Sequence, residues 1–280
     1  MPANKPITIV GGGLAGLTLG IGLRQRAVPV TVWESGHYPR HRVCGEFISG
    51  KGQGTLRRLG LSELLARAGA IPARTTAFFS PQKGSPVREL SEPAVSISRY
   101  ALDALLAEQF RQSGGELRED ERWRGAEIFE GVVRASGRRA QPAVNGWRWF
   151  GLKAHARRVE LAADLEMHLS PSGYLGMSRL KDGEVNVCGL FRRRAANAQG
   201  DFSDGETRPP KEGEAKERPV DGRGRWQEIL RGAPGSRWHE RLAGAAWLQR
   251  LMFMPRAQNA LVLLAPRWLW MWKLLLERTR

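Results

Sequence analysis

Cysteine is nearly missing from this chain of 280 residues, which holds only Cys44 and Cys188. Two are too few for a disulfide framework. Met1 to Lys5 leads into a short apolar strand and not into a secretory hydrophobic region ending in small residues, so a cytoplasmic location is expected. Long apolar runs are missing too. Even the C-terminal "APRWLWMWKLLLERTR" falls far short of the roughly 18 to 20 consecutive apolar residues that a spanning helix needs. Acidic residues are scarce beside basic ones, 28 against 44, a formal charge of +16 that favours phosphates or an anionic membrane surface. Only eight of the basic residues are lysine. The arginines are scattered, without the aromatic-interleaved clusters of a single-strand binding groove, and no nucleic-acid partner is expected. No internal repeat is present, and no metal site is expected. What remains is a 41% apolar composition, enough for a folded core, in a length that allows one large domain or two ordinary ones.

Residues 7 to 34 read as strand, glycine turn, helix and strand: "ITIV", "GGGLAGLTLGIGLRQR" and "VPVTVWE". Within this βαβ unit, Gly11-x-Gly13-x-x-Gly16 opens the helix directly after the strand, the context that makes the pattern informative. Gly11 permits the tight turn. Gly13 lets the backbone approach a pyrophosphate at the helix N-terminus, where Leu14 and Ala15 form the first turn, and Gly16 allows helix and strand to pack closely. Glu34 ends the second strand 18 residues after Gly16, where a carboxylate accepts hydrogen bonds from an adenosine ribose and disfavours a 2′-phosphate.

Farther along, residues 53 to 69 look like two short helices broken at Gly60, and a strand excursion runs from about 75 to 97. Residues 99 to 112 carry apolar side chains at helical spacing and stop at Gly114-Gly115. From Trp147 to Phe191 four strand-like segments separated by turn signals suggest an antiparallel meander. Residues 192 to 225 are so poor in apolar side chains and so rich in charge, Gly and Pro that a disordered linker is expected. Residues 226 to 280 are expected to be helical, and Trp268, Trp270 and Trp272 beside Arg267 and Lys273 suit either packing on the body of the protein or a bilayer interface. The expected organisation is therefore a dinucleotide domain at 1–146, a covering sheet at 147–191, the linker and the C-terminal helices.

The loop after Glu34, "YPRHRVCGEFISGKG", resembles that of the geranylgeranyl-reductase-like FAD-dependent oxidoreductases, relatives of flavin monooxygenases and halogenases. In that family an Arg/Lys-x-Cys-Gly-Glu segment, here Arg42 to Glu46, runs toward the flavin. "SRYALDALL" is similar to its Arg-x-x-Leu-Asp-x-x-Leu helix, which places Arg99 in the FAD region, and "VVRASGRRA" is similar to a strand ending in Ala-x-Gly-Arg, which adds Gly137. "FGLKAH", "GYLGMS" and "VNVCGLF" resemble the sheet that covers flavin and substrate. The resemblance implies a Rossmann-like α/β FAD-binding domain with an antiparallel β-sheet substrate domain and a helical C-terminus. FAD is the implied cofactor, held by Gly11, Gly13, Leu14, Ala15, Gly16, Glu34, Arg42, Gly45, Glu46, Arg99 and Gly137, with NAD(P)H a possible electron donor.

Cys44 follows Arg40, His41 and Arg42, and nearby positive charge raises thiolate character, which suits a group beside a redox cofactor as much as a small loop hydrophobe. Lys153 and His155 alternate on one strand face and, with Tyr174, are candidate substrate contacts or simply solvated groups. "GWRWFG" departs from the halogenase signature Gly-Trp-x-Trp-x-Ile-Pro at its end and reads as the start of a strand. The implied activity is reduction or monooxygenation of a hydrophobic small molecule such as an isoprenoid or a polyketide-derived quinol. One departure weighs against a complete site. The family's second FAD element is an apolar strand followed by Gly-Asp and a helix, whereas Gly200-Asp201 lies in the polar linker, as if the chain carried an internal deletion around Gly244 to Trp247. The alternatives are a non-catalytic or truncated nucleotide-binding remnant, and a peripheral membrane module at the inner face of the membrane.

Overall fold

The computed structural model describes residues 4–125, 129–137, 145–171, 173–194 and 239–243, with only the backbone of 193, 194 and 239–243. The chain falls into two units, one of Met1–Ala73 with Glu92–Arg139 and the other of Arg74–Ser91 with Ala140–Arg280. Among the described residues, no helix is long and apolar enough to cross a membrane.

The first unit is built on β1 (Ile7–Val10), α1 (Leu14–Arg24) and β2 (Val30–Trp33). β1 pairs in parallel with β2 on one side and with β7 (Val132–Arg134) on the other, and β2 pairs in parallel with β6 (Glu116–Arg118). The resulting order, β6-β2-β1-β7, is that of the first four strands of a dinucleotide-binding sheet. Ile9 and Val32 from the sheet meet Leu17 and Ile21 of α1, and Leu102, Leu106 and Phe110 of α4 (Arg99–Gln112) complete the core. Phe110 is fully buried, and such burial stabilises by roughly 1.5–3 kcal/mol. It packs where a Cβ on Gly20 would lie, 2.7 Å from its ring, so the small residue brings α1 and α4 together. Ser98 caps α4 by accepting a hydrogen bond from the Ala101 amide at 3.2 Å.

The two short helices are β3's (Phe47–Ile48) successors: α2 spans Gly50–Arg58 and α3 spans Ser62–Arg67. Between them Gly60 has φ +72°, a backbone state that a side chain would strain. β4 (Ile71–Phe79) then leads out to the second unit and β5 (Arg88–Ser96) returns, its last residues pairing antiparallel with β3.

The second unit's sheet contains β8 (Trp147–Arg157), β9 (Leu165–Ser170), β10 (Gly173–Arg179) and β11 (Glu184–Arg194). It departs from the expected meander in one place. β9, β10 and β11 are joined consecutively, but β8 pairs along its whole length with β11, and β9 instead pairs in parallel with β4. The spatial order β8-β11-β10-β9 is a Greek key, a return that local sequence pattern does not disclose. Leu152, Ala156, Leu175, Met177, Val185, Val187 and Phe191 form its apolar core.

Of the segment 226–280, expected to be helical, residues His239–Ala243 form a strand, β12, antiparallel to the outer edge of β8. The free backbone groups of β8 on that side supply the partner that overrides local helical preference. The rest of that segment, and the linker expected at 192–225 from residue 195 onward, lie outside the described residues.

Candidate functional site

The carboxyl ends of β1 and β2 carry the candidate site, the position at which open α/β sheets bind ligands. Gly11 has φ +111°, and a Cβ there would lie 2.5 Å from the Ala135 carbonyl oxygen. A Cβ on Gly16 would fall onto the carbonyl oxygen of Gly11. Both positions therefore require glycine for the fold itself. Gly13 is different. Its backbone is extended, it caps α1 without a side chain, and a Cβ there would meet nothing within 4 Å. The first turn of α1 also holds no acidic residue to neutralise the positive end of the helix dipole. Open space before an uncompensated helix N-terminus fits a pyrophosphate. Leu14 packs partly on the core and Ala15 is exposed at this turn.

Glu34 follows β2 and is 5% exposed. Its Oε2 accepts from the Gly12 amide at 3.0 Å and from Arg42 Nη2 at 3.2 Å, and its Oε1 accepts from the Gly36 amide at 3.1 Å. Arg40 Nη2 stands 2.6 Å from Oε1. Burial pushes the carboxyl up, but the hydrogen bond and charge of Arg40, the charge of Arg42 and the Gly36 amide together hold it below the ordinary carboxylate range. The Tyr38 hydroxyl donates to the Gly12 carbonyl, and its phenol is raised above the ordinary range by burial and by the Glu34 charge.

A second acid extends this cluster. Asp103 on α4 is fully buried and receives Arg99 in two bonds of 2.7 Å, with Arg42 Nε 3.3 Å away. Burial lowers the affinity of Arg99 for its proton, but the hydrogen bonds and charge of Asp103, with Cys44 behind them, raise it overall. Arg42 is lowered by burial and by the Arg40 charge. Glu46, 2% exposed and with φ +57°, accepts the Arg99 amide at 2.6 Å. The structure thus gathers Glu34, Arg42, Cys44, Glu46 and Arg99 from three separate segments. Arg99, 55 residues away in sequence, is hydrogen-bonded to Cys44. Gly45 lies in the same loop, with the Phe47 ring 3.1 Å from where its Cβ would stand. Gly137, after β7, has φ +74° and open space where a side chain would be. Gly12, Tyr38 and Asp103 were not singled out by the sequence, and Arg40 only as charge near Cys44. The i,i+4 spacing of Arg99 and Asp103 is a local signal for their pairing, whereas the reach of Arg40 back to Glu34 depends on how the loop folds.

The second unit holds the remaining candidates. Strand register puts Lys153, His155, Cys188 and Tyr174 on one face of the sheet. Lys153 is fully buried there, the His155 ring lies 3.6 Å from Glu184, and Tyr174 packs with Trp149 and Leu190. Gly200-Asp201 and the segment 244–247 lie outside the described residues.

No family model matches the chain. Among curated proteins, conditioned medium factor receptor 1 of Dictyostelium discoideum is 26% identical over 126 residues, covering 41% of this chain and 25% of that protein. Three solved structures share the fold more widely. The p-nitrophenol 4-monooxygenase PnpA of Pseudomonas putida matches with a TM-score of 0.57 at 15% identity, over 71% of this chain and 60% of that one. The flavin-dependent halogenase CmlS matches at 0.56 and 20%, over 68% and 42%, and a flavoprotein/dehydrogenase of Cytophaga hutchinsonii at 0.56 and 14%, over 67% and 56%. The chain therefore spans between 42% and 60% of the length of these structures. A parallel sheet in the Rossmann order and an antiparallel sheet, together with these likenesses, give the chain the α/β fold of FAD-binding flavoenzymes.

Proposed function

We propose that the chain is an FAD-dependent oxidoreductase, a reductase or monooxygenase of the geranylgeranyl-reductase-like kind, acting on a hydrophobic small molecule such as an isoprenoid or a polyketide-derived quinol. The observation that carries the reading is the pairing of an open Gly13 at the N-terminus of α1 with Glu34 at the end of β2. Gly13 admits the pyrophosphate to the backbone, and Glu34 receives the ribose hydroxyls. Arg42 lies against Glu34 and adds positive charge beside the phosphate path, and the Asp103–Arg99–Glu46 network fixes the loop that carries it. When bound, the flavin supplies the redox chemistry, with NAD(P)H the proposed source of electrons. Lys153, His155 and Tyr174 are proposed substrate contacts, and the tryptophan-rich C-terminus a proposed contact with a membrane surface. The test is the visible absorption spectrum of the purified protein with and without added FAD. A flavin band that stays with the protein through gel filtration supports the reading, and free flavin alone contradicts it.

A second reading, nucleotide binding without catalysis, rests on a specific observation. The open Gly13 and the cluster of Glu34 with Gly12 and Arg40 all suit the ADP half of the cofactor. Equal affinities for ADP and FAD would favour this reading over the first.

A further inference from the structure

Glu34 is the acid to which the proposed function gives the ribose, and its hydrogen-bonding capacity is already committed inside the protein. A carboxylate offers about four lone-pair sites. Gly36 N donates to Oε1 at 3.1 Å, the Ser35 hydroxyl reaches it at 3.4 Å and the Arg40 guanidinium stands against it at 2.6 Å, while Gly12 N and Arg42 donate to Oε2 at 3.0 and 3.2 Å. Ribose hydroxyls must therefore replace a partner of Glu34, since none can simply be added.

The five partners are not held equally, and the longest bond, from the Ser35 hydroxyl, leaves the Arg40 guanidinium as the closest group on Oε1. The two amides belong to backbone that is pinned on either side, Gly11 N to the Trp33 carbonyl at 2.8 Å and Asp120 N to the Gly36 carbonyl at 3.2 Å. Arg42 has a second carboxylate, the fully buried Asp103. Among the described residues Arg40 has Glu34 as its only carboxylate, its Nε and Nη2 are both buried without a well-aligned hydrogen bond, and its guanidinium lies 5.7 Å from the centre of the Tyr38 ring. Tyr38 is itself anchored on the Gly12 carbonyl, within the glycine turn.

We infer that Arg40, braced by Tyr38, is an internal competitor for the adenosine ribose: on binding, the ribose hydroxyls replace its guanidinium on Glu34 Oε1. The inference rests on the reading under Proposed function. Apparent affinity falls in proportion to the fraction of molecules in which Arg40 has let go, so removing the competitor tightens binding. It also sets Arg40 apart from Arg42, whose removal weakens binding by taking charge from the phosphate path.

The experiment is calorimetric titration of ADP into the full chain and into Arg40→Met, which keeps the aliphatic stem and removes the guanidinium. ADP is expected to bind Arg40→Met about tenfold more tightly. Tyr38→Phe, which loses only the bond to Gly12, should shift affinity the same way by a smaller factor and carries the test if Arg40→Met melts well below the parent. ADP bound by the parent, and bound equally or more weakly by both variants, overturns the inference alone. Failure of parent and variants alike to bind ADP overturns the nucleotide reading and the inference with it.

Discussion

The two units use hydrogen-bonded acids for opposite ends. In the second, Asp164 accepts the amides of Arg74 and Thr75 at 2.8 and 3.1 Å, and Glu166 accepts the amides of Ala162 and Ala163 together with the His168 ring at 2.8 Å. His168 in turn stacks on Phe79, their centroids 4.7 Å apart. These carboxylates tie strand ends and turns of their own sheet. In the first unit, Glu34, Glu46 and Asp103 are held by Arg40, Arg42 and Arg99 at the carboxyl edge of a parallel sheet, next to the open face of Gly13. Under the proposed reading, fixed charge beside open backbone serves as a binding edge, whereas fixed charge closed on its own turns serves as a scaffold. Change at the open position of the first unit should alter binding with little loss of stability, and change in the second unit should do the reverse.

The largest effect is expected where the binding edge and the fold coincide. In Gly16→Val the new Cβ meets the Gly11 carbonyl, a backbone atom that cannot turn aside, so the cost should reach or pass the upper end of the roughly 1–3 kcal/mol typical of overpacking. Thermal unfolding followed by circular dichroism should show the first unit melting roughly 6–12 °C lower. Retention of the parent Tm would mean that α1 and β1 are less closely packed than described.

Glu166→Gln sharpens the other side of the comparison. Burial raises this carboxyl, but the His168 hydrogen bond and charge and the two amides hold it below the ordinary value of 4.5. A folded-state value lowered in this way gives stability that is full above the unfolded value and is lost as the pH falls through 4.5 toward the folded value. The variant should lose roughly 1–3 kcal/mol at neutral pH, and its deficit should shrink on acidification. ADP affinity should not change. A deficit independent of pH would show that the charge of Glu166 plays no part.

Much of the first unit was legible in the sequence because its signals are local. The strand, glycine turn and helix at 7 to 24, the break at Gly60 and the helix Arg99–Gln112 each rest on spacing within a few turns of chain. Among the turn signals between the strand-like segments, the Lys-Asp-Gly at 181 to 183 is as local, with φ of 59° at Asp182 and 73° at Gly183. Other features depend on distant partners. Glu116–Arg118 is three residues long and is a strand because β2 lies beside it, and the pairing of β8 with β11 depends on the Greek-key return. In the site, Glu34 and the glycines follow from the βαβ pattern, but the chain Glu34–Arg42–Asp103–Arg99–Glu46 joins residues up to 69 positions apart and is visible only once α4 is docked.

The most direct test of the central claim is Gly13→Val, measured for ADP affinity and melting temperature on the same preparation. Its Cβ meets nothing within 4 Å and its extended backbone suits a branched side chain, so the fold should tolerate the change. The pyrophosphate should not, because the side chain stands where phosphate approaches the amide. The account predicts a Tm equal to the parent's with ADP binding weakened by more than about tenfold, which is 1.4 kcal/mol. Unchanged affinity at unchanged Tm would contradict it.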